Sequence, residues 1–163
     1  MGFELQYRLF ETLISFSGES IGMKEVWDSL VEHYGEQQVV SFATVEEKQP
    51  RVRPMTLIYT DDRFYMITGA RGGKDAYKLR QLRDNPRFEY YHTLKGEKVD
   101  GFIRGMGESW EVEDEKVKEN IYTLIEWSKG FFPTADHPDY VLLELKHDGF
   151  SYRFPDTREI LRS

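Results

Sequence analysis

The segment from Thr68 to Pro86, TGARGGKDAYKLRQLRDNP, combines residue types that could bind a phosphate group. Three glycines precede Lys74, and a short basic stretch with helical spacing follows it. Glycines let backbone N–H groups approach an anion closely, and a helix N-terminus with nearby cations favours negative charge. The segment therefore predicts a site for a small phosphorylated ligand, although the same residues could form a solvated turn before a surface helix.

Two common phosphate-binding motifs do not fit this spacing. A P-loop needs Ser or Thr after its Gly-Lys pair to bind Mg²⁺, whereas Asp75 follows Gly73-Lys74 here. Thr68 also stands where the first glycine of a P-loop belongs. The glycines at 69, 72 and 73 do not form the G-x-G-x-x-G fingerprint of dinucleotide-binding folds. The spacing therefore excludes a P-loop type of nucleoside-triphosphate site.

Composition narrows the class of protein. A chain of 163 residues is long enough for one domain with a proper core, and its net charge of −7 disfavours nucleic acid as the main partner. The sequence contains no cysteine, which excludes disulfides and thiolate chemistry. No apolar run approaches the roughly 20 residues of a membrane span. We therefore expect a soluble, cytoplasmic protein of a single domain, residues 1–163.

The sequence offers no recognisable catalytic or metal-binding motif. The four histidines lie on different predicted elements and form no H-E-x-x-H pair, so no metal site is expected. The serines lack the G-x-S-x-G elbow of a hydrolase. Catalytic residues therefore stay unknown at this stage. The histidines are His33, His92, His137 and His147.

Periodicity predicts a helical N-terminal extension, residues 1–35, followed by a β-rich region, residues 36–155. Apolar residues at helical spacing predict helices over Phe3–Phe16 and Lys24–Tyr34. Further helices are expected over Asp75–Asp84 and Glu113–Ser128. Alternating apolar and β-branched residues predict strands over QVVSFATV, RVRPMTLIYT, RFYMIT, RFEYYHTL and VDGFIRGMGESWEV, with a last strand or hairpin over DYVLLELK and GFSYRF.

Short connections between consecutive strands indicate antiparallel pairing, because parallel strands need long crossover connections. Six or so antiparallel strands with interspersed helices in a chain of this length favour a small β-barrel. The predicted fold class is therefore mainly β with helices (α+β), built as a six-stranded antiparallel split β-barrel covered by helices.

Five stretches occur in an order that resembles a known family: VVSFATV, QPRVRPMTL, FYMITGA, KDAYKLRQLRDNPRFEYY and GFIRGMGESWEVED. The sequence from Val39 to Asp114 is similar to the FMN-binding split barrel family typified by pyridoxamine 5′-phosphate oxidase. It resembles the branch of general stress and nitroimidazole-resistance proteins more than the vitamin B6 oxidase itself. The arginine–histidine pair with which that oxidase grips its substrate has no counterpart in the C-terminal stretch.

The resemblance implies FMN as the cofactor. In the family, an arginine on the second strand and a lysine on the following helix hold the FMN phosphate, and the nearby backbone lines the flavin ring. By motif the arginine corresponds to Arg53 and the lysine to Lys78 or Lys74, a choice that stays open. The other implied FMN-binding residues are Pro54, Met55, Thr56, Thr68 and Gly69.

The family also implies a homodimer with the flavin at the two-fold interface, and a small-molecule substrate. A flavin-dependent oxidoreductase acting on a small molecule or a nicotinamide is the favoured function. It needs no acid–base pair from the protein, because the flavin ring carries the chemistry. A non-catalytic flavin-binding or sensing module and a haem-binding relative of the same fold are the alternatives.

Overall fold

The computed structural model describes residues 37–69 and 71–162, together with residues 24, 26–28, 31 and 35. Helix α1 (Tyr77–Asp84) lies between the third and fourth strands, and helix α2 (Glu115–Leu124) lies between the fifth and sixth. Short 3₁₀ turns occupy Gly73–Asp75 and Glu126–Gly130. The strands are β1 (Gln37–Glu46), β2 (Gln49–Thr60), β3 (Arg63–Thr68), β4 (Arg87–Leu94), β5 (Gly101–Glu111), β6 (Val141–Arg153) and β7 (Leu161–Arg162).

The strands form one antiparallel sheet in the order β3-β2-β1-β4-β5-β6-β7. A further antiparallel ladder between β3 and β6, from Phe64↔Leu145 to Thr68↔Val141, closes the first six strands into a barrel. Closure pairs backbone groups that an open sheet would leave at its edges. The predicted six-stranded antiparallel barrel is therefore confirmed, and β7 adds one short strand beside β6.

Large apolar side chains fill the barrel interior, and a tryptophan from the N-terminal helical residues joins them. Residues 24, 26–28 and 31 are helical, as expected for the predicted helix Lys24–Tyr34. Trp27 is 1% exposed and packs its ring against Phe64 at 5.1 Å and Tyr59 at 5.9 Å between ring centroids. This helical segment therefore contributes to the barrel core. The predicted helix Phe3–Phe16 lies outside the described residues.

Helix α1 covers the barrel beside β1 and β5. Its residues Leu79 and Leu82 are buried. The helix begins at Tyr77, two residues later than expected, because residues 73–75 form a 3₁₀ turn after Gly72, whose φ is 87°. Helix α1 is therefore short, and its buried face turns towards β1 and β5.

Helix α2 is shorter than predicted at both ends, and of the two predicted alternatives for the last apolar stretches the structure shows the strand and not the hairpin. Helix α2 begins after Asp114, whose carboxylate accepts hydrogen bonds from the backbone N–H groups of Lys116 and Val117 at 2.8 and 3.2 Å, and it ends at Leu124. A side-chain cap of this kind fixes a helix start. The last two apolar stretches form one continuous strand, β6, which passes a register shift opposite Met106 and Gly107.

A polar pair, His147 and Tyr90, lies among aromatic rings of the barrel. The Nε2 atom of His147 is 2.8 Å from the hydroxyl oxygen of Tyr90, and the Phe64 ring lies 4.4 Å from the imidazole ring. Burial lowers the pKa of His147 to about 4. Gly105 makes room for the pair, since a Cβ atom there would lie 2.4 Å from the Tyr90 hydroxyl. The imidazole is therefore neutral at physiological pH.

Candidate functional site

The barrel is split between β2 and β3. These strands pair from Ile58↔Tyr65 to Thr60↔Arg63, whereas the preceding residues of β2 pair with β1 on their other side. In the described structure, one backbone edge of residues 49–57 therefore makes no strand ladder. Pro54 lies on this stretch. Proline has no backbone N–H to donate to a neighbouring strand, so an unpaired edge suits it. The split leaves backbone groups of β2 available to a ligand.

Four of the sequence-predicted FMN-binding residues alternate along this stretch of β2. Arg53 and Met55 belong to the inward face, where Met55 packs in the barrel core. Pro54 is exposed and Thr56 is half-buried on the outward face. The strand therefore brings the four residues together, but their side chains lie on two faces of the sheet.

Arg53 is held by two neutral side chains. Its terminal nitrogens donate hydrogen bonds to Thr44 Oγ1 at 2.8 Å and to Gln81 Oε1 at 2.9 Å. Thr44 lies on β1 and Gln81 on α1, and both are buried. Burial lowers the pKa of Arg53, and the nearby Arg51 charge lowers it further. The guanidinium is therefore fixed in position while its charge is not matched by a bonded carboxylate among the described residues.

Lys78 adds a second cation beside Arg53. Its side chain is half-buried on α1, and it has no carboxylate partner among the described residues. Burial lowers the pKa of Lys78, and the positive charges of Arg53 and Arg71 lower it further. Such a cluster is unfavourable alone, and an anion would relieve both the repulsion and the desolvation. The cluster of Arg53, Arg71 and Lys78 therefore fits a phosphate group, and we call it the cation cluster.

Lys74, the alternative to Lys78, lies in a different environment. Its side chain is exposed, and its backbone carbonyl accepts a 2.8 Å hydrogen bond from Arg83. No bond joins Lys74 to Arg53 in the described part of the chain. The geometry therefore favours Lys78 as the lysine that would contact a phosphate.

Thr68 supplies a polar atom that lacks a partner. It ends β3, is 3% exposed, and its Oγ1 atom has no hydrogen-bond partner among the described residues. A buried hydroxyl without a partner is costly and calls for a ligand or an ordered water. Thr68, which the family resemblance implies as an FMN-binding residue, therefore has a hydroxyl that suits a ligand, and the donor set as a whole fits a phosphorylated cofactor.

The glycines of the loop after β3 pack against Asp139. Gly69 has a φ of 102°, and a Cβ atom there would lie 1.7 Å from the Asp139 carbonyl oxygen. Gly73 has a φ of 56°, and its Cβ atom would meet the Asp139 carboxylate at 2.1 Å. The N–H of Gly73 donates to the Gly69 carbonyl at 2.9 Å. Chain packing therefore accounts for these two glycines.

Sequence reasoning missed three residues that shape this site: Thr44, Gln81 and Asp139. A signal for Gln81 exists, because it is a polar residue on the apolar face of α1, three positions after Lys78. Thr44 occupies an inward position of β1, where a polar side chain is uncommon. For Asp139, which is distant in sequence from the loop, the sequence carries no local signal.

Two features are absent from the described residues: a membrane-spanning helix and a cluster of metal ligands. None of the described helices is long and apolar enough to cross a membrane. The same residues contain no group of three or more His, Asp or Glu side chains arranged to hold a metal ion.

The fold is shared with several solved structures. General stress protein 26 from Bacillus anthracis str. Sterne aligns with a TM-score of 0.66 and 21% identity over 88% of this chain and 100% of that chain. An FAD-binding protein from Mesorhizobium loti aligns with a TM-score of 0.61 and 17% identity over 89% of this chain and 96% of that chain. A haem-binding protein from Mycobacterium smegmatis aligns with a TM-score of 0.63 and 13% identity. The alignment covers 78% of this chain and 53% of that chain. These similarities establish the fold alone.

Sequence comparison identifies the family. None of the curated proteins compared with this chain matches its sequence. The family model described as pyridoxamine 5′-phosphate oxidase matches residues 25–154, which include the whole barrel from β1 to β6 and the helical residues around Trp27. The chain belongs to the pyridoxamine 5′-phosphate oxidase family.

Proposed function

We propose that the protein binds FMN, with the phosphate at the cation cluster and the ring along the unpaired stretch of β2. The main support for this proposal is the cation cluster. Arg53 is fixed there by neutral partners, and Lys78 is half-buried without a carboxylate partner among the described residues. A phosphate dianion matches this charge and geometry. The partnerless hydroxyl of Thr68 supports the same assignment.

The proposed activity is oxidoreduction of a small molecule or a nicotinamide. FMN would supply hydride chemistry when bound, so the protein has to bind and orient the cofactor and admit the substrate. The backbone edge of β2 that makes no ladder leaves room for the cofactor and for a substrate beside it, and Pro54 on this stretch is exposed. A flavin-binding module without turnover is the alternative, and it differs only in whether an electron donor reaches the ring.

The haem alternative needs an imidazole nitrogen directed at the metal. Of the described histidines, His147 is packed among aromatic rings with Nε2 bonded to Tyr90. His92 bonds the Val39 carbonyl through Nδ1 at 2.9 Å, and the Nδ1 atom of His137 accepts the Asp139 N–H at 3.2 Å, so neither bond uses Nε2. The proposal of FMN therefore rests on the cation cluster and not on the histidines.

The test combines binding with turnover. After FMN is added and the unbound flavin is removed, the purified protein is expected to retain a flavin absorption spectrum. FMN is also expected to raise the melting temperature, since a ligand that binds the folded state stabilises it. NADH or NADPH is then expected to bleach the bound flavin in anaerobic stopped flow. Protein that retains no flavin after reconstitution and whose melting temperature does not change under saturating FMN refutes the cofactor assignment. Bound flavin that neither nicotinamide bleaches, and that no small oxidisable compound reduces, favours the module without turnover.

We also propose a homodimer with the flavin at the two-fold interface. The outward face of β1, β2 and β4 exposes Val39 (65%), Val52 (66%) and Tyr91 (42%) on adjacent strands. Apolar side chains grouped on one exposed face are typical of an interaction surface, and two-fold homodimers are the commonest oligomers.

Light scattering is expected to give twice the 19.3 kDa chain mass at micromolar concentration. Val52→Asp should dissociate the dimer, because it places like charges on the apolar face of both chains, whereas Lys48→Asp, in the adjacent β1–β2 turn, should not. A monomer mass for the wild-type protein would contradict the proposal.

A further inference from the structure

Two polar residues, Thr44 and Gln81, are buried between β1 and helix α1. Thr44 is 2% exposed on the inward face of β1, and Gln81 is 6% exposed on the buried face of α1. Burying polar groups costs free energy unless they are hydrogen-bonded, and apolar side chains of the same size would avoid that cost. Their contacts therefore indicate what they are for.

Thr44, Gln81 and Arg53 form a closed triangle of hydrogen bonds. The Thr44 hydroxyl donates to Gln81 Oε1 at 2.7 Å, and the two terminal nitrogens of Arg53 donate to Thr44 and Gln81. A guanidinium has five N–H donors, of which this triangle uses two. The triangle thus fixes the plane of the guanidinium and leaves other donors for a ligand.

The acceptors in the triangle are neutral, although a carboxylate lies nearby. Glu46 is engaged by Arg51, whose Nε donates to it at 2.9 Å. That bond, together with a hydrogen bond from Gln81, holds the pKa of Glu46 below its usual value. An amide at position 81 can donate to Glu46 while its oxygen accepts from Thr44 and Arg53, which a carboxylate cannot do.

We propose that Thr44 and Gln81 are positioning residues for the cofactor phosphate: they orient Arg53 through neutral acceptors and leave its positive charge for the ligand. This inference rests on the proposed function, because it assigns the ligand of Arg53 to the FMN phosphate. Helix α1 then has two roles at the site. Lys78 provides charge, and Gln81, one turn later, holds the partner cation in place.

The test measures FMN and riboflavin dissociation constants for Thr44→Val and Gln81→Glu. Thr44→Val is expected to weaken FMN about tenfold, because it removes a hydrogen bond to a charged group, and to leave riboflavin unchanged. Gln81→Glu keeps an acceptor oxygen for Arg53 but neutralises the Arg53 charge with a carboxylate, so it should also weaken FMN binding. Thr44→Ser is expected to restore FMN affinity. Thr93→Val, at an exposed threonine of β4, is the matched control and should change neither constant.

A double-mutant cycle separates positioning from a general effect on the fold. In an Arg53→Met background, Thr44→Val should have no further effect on FMN binding, because its action runs through Arg53. Equal effects of Thr44→Val in both backgrounds, or Gln81→Glu binding FMN as tightly as the wild type, would overturn the inference while FMN binding itself stands. Failure of the wild-type protein to bind FMN at all would overturn both.

Discussion

Replacing Lys78 with methionine is expected to weaken FMN binding by about thirtyfold, as loss of a charge-assisted hydrogen bond would. The same substitution should leave the free energy of unfolding of the cofactor-free protein unchanged or raise it. The reason is that burial and the charges of Arg53 and Arg71 already disfavour the ammonium, as the lowered pKa of Lys78 shows. Methionine keeps the length of the side chain and removes the unfavourable charge.

Lys74→Met is the matched control, since Lys74 lies in the loop before the same helix but is exposed. It should change FMN affinity little. Fluorescence titration with FMN and urea unfolding of the cofactor-free proteins measure the two quantities. If Lys74→Met weakens FMN and Lys78→Met does not, the phosphate lies at the mouth of the loop and the assignment to Lys78 is wrong.

Acidification from pH 6.5 to pH 4.5 is expected to destabilise the protein through His147. Burial lowers the pKa of His147 to about 4 in the folded state, below the ordinary value of 6.5. The unfolded chain therefore takes up a proton that the folded protein does not, so the free energy of unfolding falls as the pH falls through this window. A shift of that size corresponds to a loss of up to about 3 kcal/mol by pH 4.

Restricting the measurement to pH values above 4.5 avoids most of the aspartate titration, and comparison with a variant at position 147 cancels the contribution of Glu46, whose pKa is also lowered. The carboxyls of Asp62, Asp100 and Asp156 have pKa values below 3.8, lowered by hydrogen bonds from Lys24, from Lys95 and from backbone N–H groups respectively. They stabilise the fold above their unfolded pKa and lose that effect at lower pH.

A His147→Gln variant, which cannot titrate, is the comparison for this experiment. It is expected to show a flatter dependence of unfolding free energy on pH between 6.5 and 4.5. An NMR titration that places the pKa of His147 above 6, or identical slopes in the two proteins, would refute the buried, neutral imidazole.

The barrel could be predicted from sequence because its signals are local. Alternating apolar residues mark each strand, and turn residues such as Asp61 and Asp62, both with positive φ, separate β2 from β3. Helix limits were less predictable. The start of α1 depends on the backbone conformation of Gly72 and Gly73, and the latter packs against a residue more than sixty positions away.

The resemblance to the family indicated candidate cations for the site, but the sequence could not indicate which side chains hold them in place. The resemblance to the family gave Arg53 and two lysines, and the structure favours Lys78 because its position on α1 brings its charge close to that of Arg53. The triangle with Thr44 and Gln81 joins three elements, so no spacing within one segment reveals it. Likewise, the partnerless hydroxyl of Thr68 is evident only once β3 is paired with β6.

The central claim is that the cation cluster binds the phosphate of FMN, and the most direct test is to titrate FMN and riboflavin into the wild-type protein by calorimetry. The two ligands share the ring and differ in the phosphate. Because Arg53 and Lys78 would contact that group alone, we expect FMN to bind at least about a hundredfold more tightly at low salt. Equal affinities for FMN and riboflavin would contradict the account.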